Sequence, residues 1–213
     1  MKARAALAIV ALLAGCASHP PAPDWQGNAK SATERSVTAY LVGNPRVDAA
    51  ELERARSEVR RTGRADLLAR VELTHCAAQV ASLVFGPCPG FDALRADAAA
   101  PERAYADYLR AKLAPTDAVL LPEAHRGVAA NAAALGSVAD PLSRLVAAGV
   151  LFEAGRADPR VIALGVETAS AQGWRRPLLA WLGVQLKLAE QAGASDEAQR
   201  LRRRIALVDG AKP

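Results

Sequence analysis

The chain has 213 residues and a formal charge of +5, from 27 Lys and Arg against 22 Asp and Glu, and only 4% of its residues are aromatic. That length suits one well-packed domain and is too short for two large ones. Alanine, leucine and arginine dominate over β-branched and ring side chains, which argues against sheets and predicts an all-α fold, because those three residues carry a low cost in a helix. The positive excess is modest: a solvated mixed-charge surface accounts for it, contact with anionic lipid or peptidoglycan is the functional alternative, and no nucleic-acid partner is expected.

Lys2 and Arg4 precede an apolar run from Ala5 to Leu13, too short for a permanent span of about 20 residues and patterned like an export signal. The run ends in Leu13-Ala14-Gly15-Cys16. This tetrapeptide resembles the lipobox of bacterial lipoproteins, where small residues admit the signal peptidase and the cysteine thiol carries lipid. The resemblance implies removal of residues 1–15, acylation of Cys16 with palmitate-like chains, and anchorage without a membrane-spanning helix. Ala17 stands where aspartate retains such proteins in the inner membrane, so the resemblance further implies the periplasmic face of the outer membrane. Ser18 to Asp24 include three prolines, so residues 16–24 are expected to form an extended tether and residues 25–213 a single helical domain that starts near Trp25.

Asp24 is placed to cap a first predicted helix, which runs to about Val42 and stops at Gly43-Asn44-Pro45. Asp48 and Glu51 have the spacing of a capping box for a second helix ending at Gly63. A third is predicted from about Ala65 to Val84, with Leu68, Val71, Leu73 and Val80 at helical spacing before a break at Gly86-Pro87. Residues 91–112 read as helical with an interruption at Pro101, and Tyr105, Tyr108 and Leu109 give that piece an apolar face. Beyond it, Pro122, Pro141, Pro159 and Pro177 mark helix starts, while Gly136, Gly155, Gly173 and Gly193 mark helix ends.

Two such units approach the roughly 34-residue helix-turn-helix of tetratricopeptide arrays. Within residues 177–210, Trp181-Leu182-Gly183 resembles the first repeat helix, and Glu197-Ala198, Leu201, Ile205 and Asp209 resemble the second. The pattern departs at Ile205, where a small alanine is usual, at Gly210, where proline is usual, and in a first helix about three residues too long. The resemblance implies antiparallel hairpins stacked as a solenoid; an irregular helical bundle is the alternative. In the last hairpin, Leu178, Leu182, Leu186 and Ala189 should face Ala198, Leu201, Ile205 and Val208.

Few residues carry chemistry. With Cys16 acylated, Cys76 and Cys88 are the remaining thiols, and in an oxidising compartment they are expected to form a structural disulfide if the third helix stops a little early. His19, His75 and His125 are scattered and read as polar surface residues. With no HExxH motif or His/Cys cluster, no metal or cofactor is expected, and no GxSxG motif or Gly-rich phosphate loop occurs. Trp174, Trp181, Arg175 and Arg176 form the densest group of unusual side chains. Trp181 reads as core; Trp174, Arg175, Arg176 and the downstream Arg203 are the candidate partner-binding residues.

A lipid anchor, a tether, stacked helices and no catalytic set together suggest a binding or assembly adaptor for another envelope protein, recognised by an open apolar groove. An enzyme acting on peptidoglycan, recognised by a cleft with a perturbed histidine or carboxylate, and a small-ligand binder with a cavity between helices are the alternatives.

Overall fold

A computed structural model describes residues 23–210. The predicted signal segment, Cys16, His19 and most of the tether lie outside the described residues. Among the described residues there is no strand, and the all-α expectation holds. The helices are α1 (Asp24–Val42), α2 (Pro45–Arg60), α3 (Ala65–Ala81), the single turn α4 (Pro89–Asp92), α5 (Ala100–Leu109), α6 (Glu123–Ala130), α7 (Pro141–Glu153), α8 (Pro159–Ala171), α9 (Arg175–Gln191) and α10 (Ser195–Asp209). Two 3-10 segments, Pro115–Leu120 and Ala132–Ser137, flank α6.

The helix boundaries follow the punctuation with local exceptions. Asp140 and Asp158 accept from the backbone N–H groups of Ser143 (2.7 Å) and Val161 (2.9 Å), and each precedes a proline in the first helical position. Asp24 is not a cap but the first residue of α1, behind Pro23. The second helix starts earlier than expected, because Asn44 accepts from Val47 N–H and Pro45 opens the helix; Asp48 is thereby freed from capping and turns inward. Pro177 falls inside the first turn of α9, where its missing N–H has no helical acceptor to lose. Gly136 closes a 3-10 segment rather than an α-helix.

α3 ends at Ala81, short of the predicted Val84: Leu83 takes φ +57° and Val84 N–H reaches back to Gln79 O at 3.0 Å. That early stop turns the chain so that the sulfurs of Cys76 and Cys88 lie at bonding distance, with the Cα atoms 6.1 Å apart.

α3 is the central element, packed against α1, α2, α5 and α7, while α7, α8, α9 and α10 follow one another in contact. In a solenoid each unit touches its neighbours only. Here α9 also returns to α1, so the helices close into a bundle. Glycine sets the closest crossings. A Cβ on Gly149 of α7 would sit 2.3 Å from the Val80 carbonyl oxygen of α3, and one on Gly165 of α8 would sit 2.6 Å from the Trp181 ring of α9. Trp181 is fully buried, as expected, and its indole N–H donates to Ala81 O at 3.2 Å, tying α9 to the end of α3. The α9–α10 stripes face each other as predicted, with Leu178, Leu182, Ala189, Ala198 and Leu201 buried.

Candidate ligand pocket

A cavity of about 410 Å³ lies between the end of α5, the 3-10 segment Pro115–Leu120, α6 and the end of α7. Five of its twelve lining residues are alanines; these short side chains cover the helix backbones yet leave the space between them unfilled. Leu113, Val128, Val150 and Leu151 complete the apolar wall. Tyr108 and Arg156 are the polar side chains of the lining.

Both have a local cause for their position. Tyr108 belongs to the inner face of α5, which ends where Ala111 takes φ +54°. Tyr108 is 3% exposed, and its hydroxyl has no hydrogen-bond partner among the described residues. Burial pushes its pKa up and outweighs the opposing charge of Arg156, so the phenol is a hydrogen-bond donor at neutral pH. Arg156 follows the left-handed Gly155 at the end of α7, and its own N–H is fixed to Leu151 O at 2.8 Å. Its guanidinium makes no ion pair among the described residues.

Behind Tyr108 lies His125 of α6, 3% exposed rather than on the surface as expected. Its ring centroid is 5.1 Å from that of Tyr108 and 5.4 Å from that of Tyr105, and the two tyrosine rings stack at 6.1 Å. Nδ1 of His125 has no partner among the described residues. Burial holds its pKa down to about 4 against the pull of Asp140, so the imidazole is neutral at neutral pH. This aromatic stack forms a packed wall beside the cavity and supplies no nucleophile.

A second polar cluster joins the N-terminal helices. Ser36 of α1 donates to Asp48 of α2 at 2.7 Å, and Nε2 of His75 on α3 lies 3.1 and 3.2 Å from the two Asp48 oxygens. The three residue types of a serine-hydrolase triad are present in the wrong order: the carboxylate stands between serine and imidazole, and Ser36 is buried. The cluster is a strut across three helices. It corrects two sequence expectations at once, a capping role for Asp48 and a surface position for His75.

The predicted partner-binding residues separate. Arg175 donates to Val208 O (3.1 Å) and to the backbone and carboxylate oxygens of Asp209 (3.0 and 2.8 Å), closing the end of α10. Arg176 donates to Tyr40 O of α1. Trp174 is half-buried at the start of α9, packed between the Tyr40 cluster and the main core. Arg203 is exposed on α10, beside the pairs Arg202–Glu190 and Arg200–Glu197. Among the described residues, His, Cys, Asp and Glu do not gather in groups of three or more that would hold a metal ion.

No protein-family model, curated protein or solved structure matches the chain. Sequence reasoning passed over the pocket. Tyr108 reads in the sequence as part of an apolar helix face and Arg156 carries no signal of its own; the available signal is the density of alanine in residues 111–134 and 147–157.

Proposed function

We propose that the chain is an envelope lipoprotein, held through acylated Cys16 at the periplasmic face of the outer membrane, whose helical domain works by binding a small molecule. The observation that carries this reading is the cavity beside Tyr108: its volume falls in the range of small-ligand sites, and its wall is apolar with a few polar groups. The neutral, enclosed His125 and the misordered Ser36–Asp48–His75 strut favour binding over hydrolysis. The test is uptake of a small uncharged fluorescent probe, 1-aminonaphthalene. Probe fluorescence should rise on the wild type and fail to rise when Ala118→Trp fills the cavity, with an unchanged far-ultraviolet circular dichroism spectrum. Equal uptake by both proteins refutes the reading. Palmitate labelling lost in Cys16→Ser tests the anchor; labelling that survives the substitution refutes it.

A protein partner is the second reading, favoured by the outer face of α10. Arg203 and Leu207 lie four residues apart on one side of that helix, and Leu207 is 77% exposed. Replacing both should abolish a crosslinked envelope complex without changing the unfolding midpoint.

A further inference from the structure

We propose that the pocket takes an uncharged, apolar molecule of about the size of naphthalene, held by burial and fit without a hydrogen bond. The inference rests on the small-molecule reading above and adds the chemical class of the ligand. Size comes from the volume. About 410 Å³ holds roughly a dozen non-hydrogen atoms if each takes about 30 Å³, the share of a water molecule in the liquid.

Class comes from what the floor of the cavity withholds. Tyr108, Val128, Val150 and Leu151 are its buried residues. The Tyr108 hydroxyl is itself sealed from solvent, so Tyr108 meets the cavity with carbon rather than oxygen. The backbone oxygens of three floor residues are already taken: Tyr108 O accepts from Ala111 N–H at 2.9 Å, Val150 O from Ala154 N–H at 3.0 Å and Leu151 O from Arg156 N–H at 2.8 Å. Water entering such a space finds few partners, which is the condition under which an apolar guest displaces it. The one charged side chain of the lining, Arg156, stands exposed at the mouth. A cation would meet its repulsion, and an anion would pair with it only in water, where such a pair is worth little. Either ion, carried down to the floor, would lose its hydration with nothing in exchange. A ligand rich in hydroxyls, such as a sugar, fails for the same reason, whereas a hydrocarbon ring has no polar group to leave unpaired.

The test displaces 1-aminonaphthalene from the full chain carrying Cys16→Ser, which removes the acyl group and the need for detergent. At pH 7, naphthalene should displace the probe at least tenfold more effectively than either 1-naphthoate or 1-naphthylmethylammonium, which carry the same rings with opposite charges. 1-Naphthol should gain nothing over naphthalene. Arg156→Gln and Tyr108→Phe should both leave displacement by naphthalene unchanged, since neither polar group holds the ligand. An ion that competes as well as naphthalene overturns the apolar class while leaving the small-molecule reading in place. A tenfold advantage of 1-naphthol over naphthalene overturns it in favour of a polar anchor, which the variant that removes the advantage would identify. Probe uptake that Ala118→Trp does not change overturns the pocket itself.

Discussion

The guanidinium of Arg176 lies over the ring of Tyr40, 4.3 Å from its centroid, and donates to the Tyr40 carbonyl at 2.9 Å. One side chain thus joins the first long helix to the ninth, across 136 residues of sequence. Ring and guanidinium are both partly shielded from water, where such a contact is stronger than at an open surface. Arg176→Ala is expected to cost about 1–3 kcal/mol, because it removes the cation from the ring and leaves the Tyr40 carbonyl without its donor. Arg203→Ala, on the exposed face of α10, should stay within about 0.5 kcal/mol. Urea unfolding of the two variants checks the contrast, and equal losses would show that the α1–α9 closure adds nothing.

The glycines divide into two classes with opposite outcomes. Gly165→Ala places a methyl 2.6 Å from the Trp181 ring, and the resulting overpacking should cost on the order of 1–3 kcal/mol or more. Gly183 lies in the helical interior of α9 with nothing within 4 Å of an added Cβ, so Gly183→Ala should stabilise by about 0.5–1 kcal/mol through helix propensity. Thermal unfolding midpoints should fall for the first and rise for the second.

His125 gives the fold a pH dependence. Its pKa is about 4 in the folded chain and 6.5 when unperturbed. Between those values the unfolded chain binds a proton that the folded chain does not, so stability rises with pH across the window and is fully present above it. The loss on acidification from pH 7 to pH 4 is about 3 kcal/mol from this group. His125→Phe keeps a ring between the tyrosines and removes the proton, so it should flatten the dependence in denaturant unfolding at the two pH values. An unchanged slope would place the titration elsewhere.

Cys76 and Cys88 are separated by 12 residues, so reducing the bond should cost on the order of 2–3 kcal/mol by freeing the unfolded chain. Denatured, non-reduced protein should take up no thiol reagent at these positions. Two alkylated cysteines would refute the bond.

Helix content and most boundaries were legible because capping residues, proline and left-handed glycine act locally. Pro141 and Pro159 with their preceding aspartates announce their helices from a few residues alone. Trp181 and the α9–α10 stripes were legible for the same reason, as spacing fixes a face. Asp48 was misread because its partners, Ser36 and His75, lie 12 and 27 residues away, and a local capping motif was the only explanation that sequence spacing offered. The pocket was illegible for a related reason: its walls come from four separate segments, and an alanine that lines a cavity looks identical in sequence to one that fills a tight crossing. Arg175 and Arg176 read as partner-binding residues because their acceptors, backbone carbonyls and for Arg175 also the Asp209 carboxylate, lie more than thirty residues away in sequence.

The indole of Trp181 reaches a carbonyl exactly one hundred residues earlier in the chain, at the end of α3. On a ribosome, α3 therefore waits for its final donor until α9 has emerged, and the Gly165 crossing, made against the Trp181 ring, cannot close before then. Contacts of such long separation are slow to form. The first three helices, by contrast, hold a small core of their own around Ala32, Leu52 and Ala55, so order should build from the N-terminal helices outward, with a step in Trp181 fluorescence marking completion.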